Sequence, residues 1–150
     1  MRIARILGAL SLAAAAALPV AASASMSVAG GAFFRDVPAD SGMAAIVSSG
    51  AAVPVVPLQL QGSLFVPVTG KGGYAATAEI RGLTGGGFGG AYIGAGVGLG
   101  TLSTDNSVGS VFTVFAGKSI APFTSVELRL YKEPKDGGAT AGFVGVRFSF

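Results

Sequence analysis

An all-β fold, an antiparallel up-and-down transmembrane β-barrel of eight strands, is the architecture this sequence predicts. Three observations carry it. Apolar side chains recur at every second position in segment after segment, the period of a strand whose two faces meet different surroundings. Turn-forming residues break these segments at short intervals. Only 11% of the 150 residues are charged and 51% are hydrophobic, whereas a soluble domain carries about a quarter charged residues. Something other than water must solvate much of this surface.

The first segment stands outside the fold. Arg2 and Arg5 form a basic start, an apolar run extends from Ile6 to about Val20, and Ala22, Ser23 and Ala24 form a small-residue cleavage site. Residues 1–24 therefore read as a secretory signal peptide and residues 25–150 as the barrel domain. The alternative is an uncleaved membrane anchor, which the run, at about fifteen residues, is too short to supply. Without Arg2 and Arg5, eight basic residues face seven acidic ones, a net charge of +1. No basic run or interleaved basic and aromatic patch suits a phosphate backbone, so nucleic acid is not an expected partner. The chain has no cysteine, which excludes a disulfide framework and leaves packing and backbone pairing to hold the fold.

The strands follow in chain order. "SVAGGAFFR" (27–35) places Val28, Ala32 and Phe34 on one face and Arg35 on the other. "MAAIVSSGAAV" (43–53) alternates most weakly and fits a loop, a short helix or a strand; counted as a strand it brings the total to eight, and single-chain membrane barrels have even strand numbers. In 57–69, Leu58, Leu60, Leu64, Val66 and Val68 oppose Gln59, Gln61, Ser63 and Thr69. In 72–82, Tyr74, Ala76, Ala78 and Ile80 oppose Thr77, Glu79 and Arg81. In 91–101, Ile93, Ala95, Val97 and Leu99 oppose Gly94, Gly96, Gly98 and Gly100. Segment 109–119 sets Phe112, Val114 and Ala116 against Thr113, Gly117 and Ser119. Segment 124–131 sets Val126, Leu128 and Leu130 against Ser125, Glu127, Arg129 and Tyr131, and the last strand sets Val144, Val146, Phe148 and Phe150 against Gly145, Arg147 and Ser149. The intervening turns are too short for the crossover helix that parallel pairing requires, and strands of this length span a bilayer when tilted.

Two-sided strands do not by themselves say which face is inside. In a soluble sandwich the greasy faces pack together; in a membrane barrel they meet lipid and the polar faces fill the lumen. The polar faces favour the barrel. Four alternating glycines offer no solvating side chains, and they leave space for bulky groups from across the lumen or mark strong curvature. Arg35, Glu79, Arg81, Glu127, Arg129 and Arg147 bring both charge signs to faces that would converge, where pairing offsets much of the cost of burial. The alternative for these charges is a solvated sheet face. Lys71, Lys118, Lys132 and Lys135 lie near turns, where long cationic chains reach water at a rim.

The final residues, "GVRFSF" (145–150), resemble the carboxy-terminal signature of bacterial outer-membrane β-barrel proteins, a glycine followed three and five positions later by aromatic residues. Gly145, Phe148 and Phe150 match that spacing, and Phe143 stands where the family usually has a polar residue. In size and layout the chain is similar to the small eight-stranded barrels of the OmpA and OmpX type. The resemblance implies an outer-membrane location in contact with its lipid. It also implies a last strand that is read by the barrel-assembly machinery and then pairs with the first. With no tryptophan and three tyrosines, the interfacial girdles would come mainly from the ten phenylalanines.

The enzymes among the small barrels that this chain resembles, outer-membrane proteases, lipid A deacylases and palmitoyl transferases, use an active-site histidine, and this chain has none. The usual base of a serine or cysteine nucleophile and the commonest metal ligand are thereby missing. Glu79 and Glu127 each sit two residues from an arginine, the pattern of structural ion pairs. "GGGFGG" (85–90) satisfies G-x-G-x-x-G through Gly85, Gly87 and Gly90, but a strand rather than a helix follows, so it reads as a turn. Eight strands enclose a space that side chains just fill, which leaves at most a narrow ion path. The expected function is non-enzymatic and free of cofactors: a structural or interaction barrel that contributes to envelope integrity or docks onto another envelope component. The alternative is a secreted soluble β-sandwich or small barrel that binds an apolar ligand.

Overall fold

The computed structural model describes residues 24–36, 39–53, 55–70, 73–84, 90–103 and 107–150. Eight strands follow one another: β1 (Ala24–Arg35), β2 (Asp40–Ala52), β3 (Leu58–Pro67), β4 (Ala75–Thr84), β5 (Ala91–Gly100), β6 (Gly109–Ala121), β7 (Thr124–Lys132) and β8 (Thr140–Ser149). Each pairs antiparallel with the next, and β8 returns to β1 to close a barrel. Closure leaves no unpaired edge among the described strands, so their backbone polar groups pair within the wall. Two packed sheets, one of the alternatives for this sequence, are not formed.

The barrel has two unlike rims. The terminal rim carries Ala24 and Phe150 and the strand ends at Ala52, Leu58, Thr84, Ala91, Ala121 and Thr124; the loop rim carries those at Arg35, Asp40, Pro67, Ala75, Gly100, Gly109, Lys132 and Thr140. The tightest connection is Pro122–Phe123, between the paired residues Ala121 and Thr124. Proline supplies the first turn residue, and Phe123 follows in the left-handed region at φ 58°.

The weakly alternating 43–53 segment is a strand, and β2 runs further, to Asp40. Its alternation is hard to see because Ala44, Ile46, Ser48 and Gly50 face inward while Met43, Ala45, Val47 and Ser49 face outward. Apolar residues occupy both faces. β1 begins at Ala24, the last residue assigned to the signal peptide; the rest of that segment lies outside the described residues.

Exposure follows the sequence period. Val28, Leu60, Ile80, Val97, Leu128 and Val144, one from each of six strands, are between 42% and 56% exposed. The outer wall is thus a continuous apolar band, of the kind lipid covers. Aromatic rings gather toward its edges, with Phe34 and Phe112 outward near the loop rim and Phe123, Phe148 and Phe150 near the terminal rim. Phe33, Phe65, Phe115 and Phe143 are instead buried in the lumen.

The glycine run of β5 has two local causes. A Cβ at Gly94 would overlap the Phe115 ring of β6, and one at Gly96 would come 2.6 Å from the Glu79 side chain of β4. Both intruding side chains come from neighbouring strands rather than from across the lumen. The neighbouring backbone is an obstacle along the whole run: the carbonyl oxygens of Ile80, Ala78, Ala76 and Tyr74 lie within 2.7 Å of a Cβ at Gly94, Gly96, Gly98 and Gly100, a close approach that accompanies tight curvature of the wall.

Candidate functional site

The lumen is divided along its axis into a polar layer toward the terminal rim, an apolar layer, and a polar cap at the loop rim. Charged side chains from β4, β7 and β8 meet in the first. Glu79 accepts hydrogen bonds from Gln61, from Ser63 Oγ at 2.8 Å, from Thr77 Oγ1 at 2.6 Å and from Arg129 at 2.6 Å. Glu127 accepts from Tyr92 at 2.7 Å, from Arg147 at 3.0 Å and from Arg129 Nε. Arg147 also donates to Ser27 of β1 at 2.7 Å, and Arg129 lies 4.1 Å from the centroid of the Phe115 ring. Glu79, Glu127, Arg129 and Arg147 are each at most 3% exposed. A single carboxylate in such a place would be costly; two carboxylates shared by two guanidiniums, with hydroxyl and amide donors around them, are not.

Above this layer the lumen is apolar. Phe33, Phe65, Tyr131 and Phe143, with Ile46, Val111 and Leu102, are buried to 2% exposure or less. Phe33 meets Phe65 edge to face at 6.1 Å between centroids, and Phe65 meets Tyr131 at 4.9 Å. These rings fill the cross-section and separate the two polar zones.

At the loop rim the connection after β5 folds over the mouth. Its Leu102 side chain joins the apolar layer, its amide donates to Glu133 at 2.7 Å, and its carbonyl accepts from Arg35 at 2.6 Å. Glu133 also accepts from the amides of Ser103 and Ala139 at 3.3 Å. Burial alone would raise the carboxyl of Glu133, but those three backbone donors and Lys135 outweigh it and hold the group below the ordinary carboxylate range. Arg35 pairs with Asp40 at 3.5 Å.

Of the six charged residues expected to converge, four join in one ion-paired network. Arg81 lies beside it, stacked 3.5 Å from the centroid of the Tyr92 ring. Arg35 points inward but belongs to the cap at the opposite end, because β1 carries it past the apolar layer to the loop rim. Gly145 stands at the β1–β8 seam, while Phe148 and Phe150 lie on the outer wall. Tyr92 and Glu133 do not figure among the expected site residues. Their parity marks both: Tyr92 shares the face of Gly94, and Glu133 continues the series 125, 127, 129, 131 past the end of β7. Among the described residues no group of three His, Cys, Asp or Glu could hold a metal ion.

No protein-family model matches the sequence, and no curated protein sequence matches it. Solved structures do match the fold. Neisserial surface protein A superposes with a TM-score of 0.61 at 13% identity, covering 85% of this chain and 97% of that one. Ail, the attachment invasion locus protein of Yersinia pestis, gives 0.52 at 12% identity, covering 85% and 99%. The N-terminal β-barrel domain of Pseudomonas aeruginosa OprF gives 0.50 at 17% identity, covering 84% and 97%. The chain has the fold of the small eight-stranded bacterial outer-membrane barrels.

Proposed function

We propose that this chain is a non-enzymatic barrel of the bacterial outer membrane that serves a structural or interaction role in the envelope. The observation that carries the proposal is the opposition of its two surfaces. The outer wall is a band of half-exposed aliphatic side chains, and the lumen is closed across its middle by an ion network and an aromatic layer. A lumen so occupied supports no transport path through the barrel axis, and its two carboxylates are saturated by donors, unlike a poised general base. The fold shared with outer-membrane barrels supports the location.

On this proposal export begins with a cleaved peptide at 1–24, outer-membrane lipid covers the wall, and the assembly machinery recognises Gly145, Phe148 and Phe150. Another envelope component is the expected partner. Fractionation of expressing cells tests the core of the proposal. The folded protein should stay with detergent-extracted outer membrane and migrate faster unboiled than boiled on a gel. Recovery as a monodisperse species in buffer without detergent would overturn it.

A further inference from the structure

The polar half of the lumen holds two carboxylates, Glu79 and Glu127, and three guanidiniums, Arg81, Arg129 and Arg147. Arg129 bridges both carboxylates and Arg147 takes the remaining side of Glu127. One positive charge is left over. It belongs to Arg81, whose guanidinium has no ion pair among the described residues and whose Nε is buried without a hydrogen-bond partner. Stacking on Tyr92 fixes its position but does not neutralise it. Asp105, between β5 and β6 in the sequence, lies outside the described residues.

Arg81 lines a polar vestibule of about 250 Å³, with Ser25, Ser27, Gln59, Gln61 and Ser149 among its walls and, among the described residues, no acidic side chain. The vestibule is bounded by the ends of β1, β2, β3, β4 and β8 nearest the terminal rim. It is blind, because the ion network and the aromatic layer close the lumen beyond it. The hydroxyls there are set up as donors. Ser27 Oγ already accepts from Arg147 at 2.7 Å and Ser25 Oγ from Gln59 at 2.8 Å, so each keeps its hydrogen for another acceptor. Ser48 is spent: Ser63 gives its hydrogen to Glu79 and must accept from Ser48.

We propose that this vestibule binds a small water-borne oxyanion, a phosphate, sulfate or carboxylate group, with Arg81 as counter-charge and Ser25 and Ser27 as hydroxyl donors. The volume admits a tetrahedral oxyanion with part of its water shell. Entry is from the aqueous side, since the site lies inside the ring of strands and not on the wall that meets acyl chains. A lipid phosphate would have to draw its chains over the rim to reach it.

The test uses the full barrel folded in detergent micelles, with folding of each variant checked by heat-dependent gel mobility. Phosphate is titrated against chloride at constant ionic strength while the amide resonances of Ser27 and Arg81 are followed by NMR. Phosphate should give saturable shifts that chloride does not. Arg81→Gln should weaken binding about tenfold or more, the effect of losing one charge-assisted contact. Ser27→Ala should weaken it severalfold and serves as the second variant should Arg81→Gln fail to fold. Absent or non-saturable shifts, an equal response to chloride, or an unchanged response in both variants would overturn the proposal. So would shifts produced by phosphatidylglycerol in bicelles but not by free phosphate, which would assign the site to lipid.

Discussion

Gly31 on β1 and Gly145 on β8 face each other across the seam that closes the barrel, and neither position has room for a methyl group. A Cβ on Gly145 would come 2.5 Å from both the Gly30 carbonyl oxygen and the Phe143 ring, and one on Gly31 would overlap the Val144 carbonyl. The glycine of the carboxy-terminal pattern therefore has a packing role of its own, separate from any recognition by assembly factors. Gly145→Ala and Gly31→Ala should each lower the urea midpoint of protein refolded in micelles, where no such factor is present. The expected cost is about 1–3 kcal/mol, the range for overpacking a tight contact. An unchanged midpoint would mean that the seam yields without loss.

The ion network should behave as a unit. Glu127→Gln leaves Arg129 with Glu79 alone and Arg147 without a carboxylate, in a layer where these side chains are 1% exposed or less. Breaking a buried pair from one side costs about 3–5 kcal/mol. Joint replacement of Glu127 by Leu and Arg147 by Met removes both charges, although it orphans Ser27 and Tyr92 as partners. The double variant should lose less than the sum of the single ones in equilibrium unfolding, and strict additivity would argue against coupling.

The cap at the loop rim should depend on acid. Because the three backbone donors and Lys135 hold the Glu133 carboxyl below its ordinary range, the folded state favours its ionised form. That stabilisation is complete above the ordinary carboxyl value of about 4.3 and is lost as pH falls through the lower folded value. Wild type should exceed Glu133→Gln in stability at neutral pH, and the gap should narrow on acidification. Amide exchange at Leu102 and Ala139, both bonded to this carboxylate, should quicken in the variant relative to wild type at neutral pH. A gap independent of pH would remove the carboxylate from the account.

Most of the wall was legible from the sequence because a two-residue period assigns each side chain a face without knowledge of its partners. The interior was less so. Parity sends Arg35 and Arg147 inward alike, but their depth depends on how far along its strand each one sits, and the closed register puts them at opposite ends of the lumen. The aromatic layer was hidden for the same reason. Phe65 and Phe143 share inward faces with Ser63 and Arg147 on strands read for their polar side. β2 was the hardest element, since alanine and isoleucine inside meet valine and methionine outside and the contrast that marks a face is small. The charge excess at Arg81 could not emerge from counting charged residues, because it required knowing which guanidiniums share which carboxylates.

Lipid contact along the wall can be checked at one strand. Val97 is 56% exposed, and its neighbour Gly96 faces the Glu79 side chain. Val97→Arg should cost about 2–4 kcal/mol in lipid vesicles, as for a cation placed near the bilayer midplane. In contrast, Gly96→Ala should act within the wall and lumen, by pressing on the Ala78 carbonyl and the Glu79 side chain, with a cost that does not vary with bilayer thickness. Comparison of the two variants in thick and thin bilayers separates the mechanisms. If Val97→Arg unfolds no more readily than wild type in vesicles, hydrocarbon does not cover this part of the wall.

Phe150 offers a test that separates folding from the proposed targeting. Phe150 is 79% exposed on the outer wall, and its backbone pairs with Met26, donating from its amide at 2.8 Å. Phe150→Ala keeps that backbone bond and removes a ring with few protein contacts. In purified refolding the loss should therefore be small, about 1 kcal/mol or less, as for an exposed substitution. In cells the same variant should accumulate far less folded protein in the outer membrane, because the proposed assembly signal is the spacing of Gly145, Phe148 and Phe150. The ratio of the two effects is the informative quantity. Equal, small losses in both settings would leave the ring as an interfacial anchor alone, whereas a large loss in purified refolding would show that the ring holds the seam together.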